Sequence, residues 1–437
     1  MARTRDLWSS KFAFLMAAIG SAVGLGNLWR FPFQAGANGG SAFVFVYLLC
    51  VLLIAFPVLV AELTIGRRTG KSVVGAARDL GREANLPVGI SFVALSAMVA
   101  GFLVLSTYSV IAGRIMAYAL GAFLGQFTGD PTGETALSTT IAVYDGPTLG
   151  VGWHTLFMGL TIIIVARGIH AGIERVVSIL MPVFFVMLAG LCLFSMSVGD
   201  PAAALSYLFQ PRFSELTPQI VLAAMGQALF SLGVGAGILT AYGAHMRSDE
   251  NIIGDAAIVS FADTLVAIVA GLMIFPIVFA NGLDPAEGPG LIFNALPRVF
   301  AQMPGGAVIG GLFFLLAFVA ALTSSISLLM GVSSVIEQET GLGRSQAAGF
   351  VGTAVWAVGV SAILMEGLNR RLDYVSGNVL LPIGALFIVV LAGWIARKES
   401  LDQELRHAST VLRGYWRFCT RYIAPVAIVL ILIFGVK

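Results

Sequence analysis

Apolar residues fall along this chain in long blocks, without the alternation of a half-buried strand. A helix that crosses a bilayer needs about 20 mostly apolar residues. Eleven blocks meet that need: 11–36, 41–66, 88–124, 150–167, 172–198, 217–245, 251–281, 305–337, 346–365, 374–397 and 418–436. Two joints between them are long: 126–149, rich in Gly, Thr, Asp and Pro, and 282–304, whose apolar positions predict a short helical plug folded back on the protein. A third, 397–417, is polar and charged and predicts an amphipathic stretch on the membrane surface. The first block follows a basic "MARTRDLWSSK" and continues through Gly24 and Gly26 into polar residues with no small-residue cleavage site. It therefore predicts a retained span, not a signal peptide.

Two of the blocks are interrupted from within. "GSAVGLGNLWRFP" at 20–32 sets three glycines, an asparagine, an arginine and a proline inside the first span, and "FSLGVGAGILTAYG" at 230–243 repeats the glycine pattern in the sixth. Glycines in membrane helices commonly mark close packing. The same cluster recurring five spans later, with polar residues in both, argues instead for two broken helices. Paired interruptions in the two halves of a chain point to the binding site of an inverted-repeat transporter. Non-helical backbone at membrane depth is tolerated only where it lines a cavity or is buried in protein. Such breaks expose N–H groups suited to a carboxylate and carbonyls suited to a desolvated cation.

Composition narrows the class. The 437 residues are 58% hydrophobic and 11% charged, with net charge +2 and mean hydropathy +0.93, whereas soluble domains carry about 25% charged residues. An all-α integral membrane protein follows, with no soluble domain, and nucleic-acid binding is excluded as a main function. Cys50, Cys192 and Cys419 lie far apart and suggest neither a disulfide framework nor a metal site. With the four histidines they form no catalytic constellation, so an enzyme is not expected. Of the 25 basic residues, all but Arg30, Arg114, Arg212, Arg298, Arg370, Arg371 and Lys437 fall on one side if the N-terminus is cytoplasmic. The excess of Lys and Arg on that side sets the orientation, and an odd number of spans leaves the C-terminus outside.

The opening stretch, followed by "NGGSAFVFVY", closely resembles the start of the neurotransmitter:sodium symporter family, and bacterial LeuT-like amino acid transporters in particular. The resemblance continues at "AELTIGR" (61–67), "TYSVIAG" (107–113), "GQALFSLGVGAG" (226–237), "DTLVAIVAG" (263–271) and "AALTSSIS" (320–327), essentially the whole chain. It implies a single transporter domain over 1–437: a LeuT-like 5+5 inverted repeat with discontinuous helices 1 and 6 and about 11 transmembrane helices. The first repeat is expected at about 11–198 and the second at about 217–397. An extra helix follows at about 418–436, and the family's usual twelfth span is missing.

The family further implies sodium-coupled symport of an amino-acid-like solute by alternating access across the bacterial inner membrane. One sodium (Na+) site is expected from Ala22, Asn27, Ser231 and Asp263 with the substrate carboxylate. The second is expected from Gly20, Val23, Ala320, Thr323 and Ser324. The partners are then the amino acid and the lipid bilayer, with no obligatory protein partner.

Asp263 is the most informative residue, because a carboxylate in mid-span is a functional hypothesis by default. Many family members have asparagine there and use a chloride nearby as compensating anion, and Tyr47, Gln227 and Ser231 stand where that chloride would be bound. Asp263 would carry the negative charge itself, so chloride is not expected. With sodium absent, a proton is the alternative neutraliser. Glu62 stands where the family uses a glutamate to satisfy free N–H groups of the broken sixth helix.

Gly24 leaves vacant the aspartate that aromatic-amine carriers use to pair with an amine, so the substrate should bring its own carboxylate. Substrate-binding residues are expected at Ala22, Gly24, Leu25, Gly26, Val104, Tyr108, Phe230, Ser231, Gly233, Ala236, Ser324 and Leu328. This lining is apolar and uncharged, with small residues at Gly233 and Ala236, and suits a neutral, hydrophobic or aromatic L-amino acid.

Arg30 and Asp373 are the expected outer gate, and Arg5 and Trp8 the inner latch. The acid expected opposite Arg5 aligns with Gln338, flanked by Glu337 and Glu339, and His245 stands where tyrosine is common. Gly172 and Pro182 reproduce a spacing linked in the family to unwinding of span five. Arg114 either snorkels outward or pairs with a loop acid. A proton-coupled carrier of the same architecture, a channel and a non-transporting substrate sensor are the alternatives.

Overall fold

The computed structural model describes residues 6–87, 89–127, 134–286 and 290–435. Nearly all of them are helical. Among the described residues, nine helices are long and apolar enough to cross a membrane: Ser41–Thr69, Ser91–Phe123, Pro147–Ala166, Ile169–Val198, Ile252–Ala280, Gly306–Thr340, Arg344–Leu364, Leu368–Ile395 and Thr410–Phe434. A tenth span is the pair Lys11–Ala22 and Gly26–Ala37, bent by 46° at the first glycine cluster. The sixth predicted span is also split, into Pro218–Ser231 and Ile238–Gly243, each too short to cross alone.

Local sequence explains where these helices begin. Ser10, Thr217 and Asn251 cap the N-termini of spans one, six and seven by accepting N–H groups three residues on, at 3.1, 3.3 and 3.2 Å. Pro218 takes the first helical position after Thr217, where its missing N–H costs nothing. Spans three and eight pack against each other most extensively; Lys11–Ala22 and Ile238–Gly243 lie against span eight, whereas Phe31–Ala37 lies against span seven and Pro218–Ser231 against span two.

The joints differ from the expectation in three places. The joint at 126–149 contains a helix, Glu134–Tyr144, and an unanticipated helix, Pro201–Phe209, follows span five. The last span starts at Thr410, eight residues before the predicted 418, because Trp416 donates its indole N–H to the Pro57 carbonyl at 3.0 Å and anchors that turn against span two. The rest of the 397–417 joint holds a short helix, Lys398–Glu404. The 282–304 joint does carry a helical plug, over Leu291–Gln302.

Candidate functional site

The first break leaves Val23 and Gly24 outside regular helix. Gly24 donates its N–H to Asn27 Oδ1 at 2.9 Å, and Leu25 donates to the Tyr108 hydroxyl at 3.1 Å. A Cβ on Gly24 would lie 2.6 Å from Ser324 Oγ and 2.9 Å from Tyr108 OH, so a side chain there would displace these hydroxyls.

In the sixth span, Gly233, Gly235 and Gly237 have φ of +63°, +97° and +68°, values that side chains rarely adopt. Their conformation ends one helix and starts the next. Glu62, fully buried on span two, accepts the N–H groups freed by this break, from Gly235 (2.7 Å), Leu239 (3.0 Å) and Thr240 (3.2 Å).

Between the breaks lies a narrow cavity of about 50 Å³. Its lining contains all the residues expected to bind substrate: Ala22, Gly24, Leu25, Gly26, Val104, Tyr108, Phe230, Ser231, Gly233, Ala236, Ser324 and Leu328. Ser21, Ile238 and Leu381 complete it. Ile238 sits at the start of the second half of span six, a position readable from the break. Leu381, on span ten, carries no local signal.

Two oxygen-rich clusters flank this cavity. Asn27 donates its amide N–H groups to Asp263 Oδ1 (2.7 Å), the Asp263 carbonyl (2.9 Å) and Ser231 Oγ (3.1 Å). Ser231 Oγ donates to Asp263 Oδ2 at 2.8 Å. All three side chains are buried, and among the described residues no Lys, Arg or His comes within 4 Å of Asp263. A buried, ionised carboxylate without a counter-charge is costly, so the cluster suits a cation bound beside it. Tyr47 OH approaches Ser231 Oγ at 3.4 Å, and Gln227 donates to the Gly26 carbonyl at 3.0 Å.

In the second cluster, Ser324 Oγ donates to the Val23 carbonyl at 3.1 Å and reaches the Gly20 carbonyl at 3.4 Å. Thr323 Oγ1 bonds the Ala320 carbonyl at 3.1 Å. Gly20, Val23, Ala320, Thr323 and Ser324 thus meet at the first break, with oxygen atoms only. That donor set suits a hard cation.

A wider cavity lies on each side. On the face away from the N-terminus, about 280 Å³ is lined by Trp29, Arg30, Gln34, Ile111, Phe230 and Asp373 among others. The Arg30 guanidinium stacks 4.0 Å above the Phe230 ring, and no ion pair within 4 Å joins it to Asp373 among the described residues.

The N-terminal face holds about 560 Å³, lined in part by Asp6, His245, Glu337, Gln338 and Arg344. Trp8 is buried, donating its indole N–H to the Tyr242 carbonyl at 3.1 Å and its backbone N–H to the His245 carbonyl at 3.0 Å. Arg5 lies outside the described residues. The ion pairs on this face are ones that sequence spacing did not suggest: Arg344 bridges Asp6 (3.2 Å) and Glu337 (3.6 Å). Gln338 accepts from the Ser72 N–H and hydroxyl at 2.9 and 2.8 Å.

Arg114 does pair with a loop acid, Asp145, at 2.5 Å, while its guanidinium stacks 3.9 Å above Phe293 of the helical plug. Span five opens with a wide π-helical turn, Ile169–Glu174, in which a Cβ on Gly172 would strike the Ile164 carbonyl. Pro182 sits inside the helix that follows.

The chain is similar to known proteins over nearly its whole length. A family model described as the sodium:neurotransmitter symporter family matches residues 5–135 and 149–437. The chain is 35% identical over 442 residues to the uncharacterized sodium-dependent transporter YhdH of Bacillus subtilis, covering 97% of this chain and 96% of that protein. It is 25% identical over 492 residues to the sodium-dependent nutrient amino acid transporter 1 of Drosophila virilis, covering 99% of this chain and 77% of the relative. Among solved structures, MhsT in complex with L-phenylalanine matches with a TM-score of 0.89 and 38% identity, covering 98% of this chain and 99% of that one.

Proposed function

The chain belongs to the sodium:neurotransmitter symporter family, a family of sodium-dependent transporters, and from that premise we propose that it couples sodium entry to uptake of a neutral, hydrophobic or aromatic L-amino acid, without chloride. The observation that carries the reading is the contrast between Gly24, which brings no acid and where a side chain would displace the Ser324 and Tyr108 hydroxyls, and Asp263, a buried carboxylate bonded to Asn27 and Ser231. The site lacks an acid for the substrate amine and supplies one for a cation.

In this reading the substrate carboxylate lies against the amides of the first break and the Tyr108 hydroxyl. Its side chain points into the apolar wall of Val104, Phe230, Gly233, Ala236 and Leu328. Sodium takes the place of the hydrogen bonds that now tie Asn27 to Asp263, and a second sodium rests among Gly20, Val23, Ala320, Thr323 and Ser324. The Thr323–Ser324 pair facing broken-helix carbonyls favours sodium over a carrier driven by protons alone. The phenylalanine bound in the similar MhsT structure and the nutrient amino acid relative support the substrate class.

The two wide cavities and the narrow centre correspond to the outer vestibule, inner vestibule and binding site of an alternating-access cycle. The two five-span repeats, at about 11–198 and 217–397, rock against each other, with the N-terminus cytoplasmic and the C-terminus outside. Arg30 with Asp373 closes the outer side, and Arg5 with Trp8 the inner.

Proteoliposomes should accumulate a labelled hydrophobic amino acid only with an inward sodium gradient, equally well in chloride and gluconate. A thermal-shift screen of the amino acids with and without sodium identifies the substrate, since ligands of the native state raise apparent stability. Uptake that needs chloride, or proceeds without sodium, overturns the reading.

A further inference from the structure

The inner half of span one, Lys11–Ala22, has no acidic residue in its first turn, and that turn begins with a lysine. The N-terminal end of a helix is its positive end, so this half-helix places a cation where an anion is wanted. Two carboxylates from other spans compensate. Asp255 of span seven, wholly buried, lies 2.7 Å from Lys11 Nζ. Glu174 of span five, 6% exposed, accepts the backbone N–H of Ser9 at 2.8 Å, one residue before the Ser10 cap. The other Glu174 oxygen is held by His170 Nδ1 at 3.0 Å, so the carboxylate is aimed and cannot swing freely.

Glu174 also occupies a particular place in span five. It ends the π-helical turn Ile169–Glu174, two residues after Gly172 and ahead of Pro182. A π-turn interrupts the regular α-helical ladder and is common at functional sites, and the proline leaves a carbonyl without its usual partner. The group that holds the end of span one therefore rides on the least regular part of span five. Loosening that turn draws the carboxylate from Ser9 and uncovers the positive end of the half-helix, next to Trp8.

We propose that Glu174 is a positioning residue of the transport cycle: its carboxylate clamps the cytoplasmic end of Lys11–Ala22 to span five and keeps the inner side shut until the Ile169–Glu174 turn yields. The inference rests on the alternating-access reading above.

The test measures how fast a thiol on the hidden face of the half-helix reacts. Ala17→Cys, at a fully buried position, is placed in a C50A, C192A, C419A background, and labelling by a maleimide is followed in detergent-solubilised full-length protein. Glu174→Ala should speed labelling roughly two- to thirtyfold, the range expected for losing a charge at a helix end. Glu174→Gln, which keeps an acceptor oxygen, should fall between alanine and the parent. Equal rates for Glu174→Ala and the parent overturn the clamp. So does an equal acceleration at Ser109→Cys, a buried site on span three, because that marks general loosening. The ratio of alanine to parent rates judges the clamp with or without sodium. If sodium fails to slow labelling of the parent, the sodium-coupled reading fails instead, and the two failures stay distinct.

Discussion

Glu62 on span two accepts the Gly235 N–H at 2.7 Å, inside the break of span six. Its second oxygen takes the N–H groups of Leu239 and Thr240. A six-residue helix at membrane depth thus has its free end satisfied by one side chain from another span. Glu62→Ala leaves three buried donors unmet, each worth about 1–3 kcal/mol, and should lower the thermal midpoint in detergent more than Glu62→Gln. An alanine variant as stable as the parent would mean that water serves this end.

Asp263→Asn removes the fixed charge beside the first proposed sodium. Uptake should then collapse in gluconate and recover in part when chloride is supplied, because Tyr47, Gln227 and Ser231 remain to hold an anion. Proteoliposome flux at constant sodium, with chloride titrated, measures this.

Ala236 faces the central cavity. Ala236→Phe fills the wall against which a large side chain would rest, so competition assays should show weakened binding of phenylalanine and relative retention of alanine or valine. No change in the order of preference would place the side chain against another wall.

Glu250 lies between spans six and seven and is 7% exposed. Burial, followed by the charges of Asp255 and Asp249, pushes its carboxyl up to about 7, against the opposing effects of Lys11 and Arg247. Arg67 reaches only its backbone carbonyl, at 2.7 Å. The folded protein therefore keeps a proton that the unfolded chain releases near the ordinary glutamate value, and stability from this group falls as pH rises from about 4.5 to about 7. Melting curves across that range should show the parent losing stability relative to Glu250→Gln, with no further change above it.

Arg114 ties span three to both Asp145 and Phe293. Arg114→Lys keeps the charge but loses the planar stack, worth about 0.5–2 kcal/mol. Amide hydrogen exchange over Leu291–Gln302 should speed up in Arg114→Lys and further in Arg114→Ala, with little change in span eight.

The span series and the two breaks were legible because each has a local cause, and the residues lining the central cavity were named through the family resemblance. Apolar length marks a helix in lipid, and Gly233, Gly235 and Gly237 break one because they occupy φ values that side chains rarely adopt. Other elements were not legible. The last span begins at Thr410 because Trp416 finds the Pro57 carbonyl on span two, far away in sequence. Leu381 joins the central cavity only because span ten packs there.

A membrane protein with two broken helices and a mid-span acid at Asp263 follows from consecutive residues, and the uncharged pocket with Tyr108 follows only with the family resemblance added. Tertiary structure alone decided which charges meet: Arg344 with Asp6 and Glu337, Arg114 with Asp145, and Glu174 with the Ser9 N–H. The reason is physical. Hydrophobic length and backbone preference act within one segment, so they are written in consecutive residues. An ion pair or a borrowed helix cap depends on which surfaces come within about 3–4 Å, and packing sets that distance.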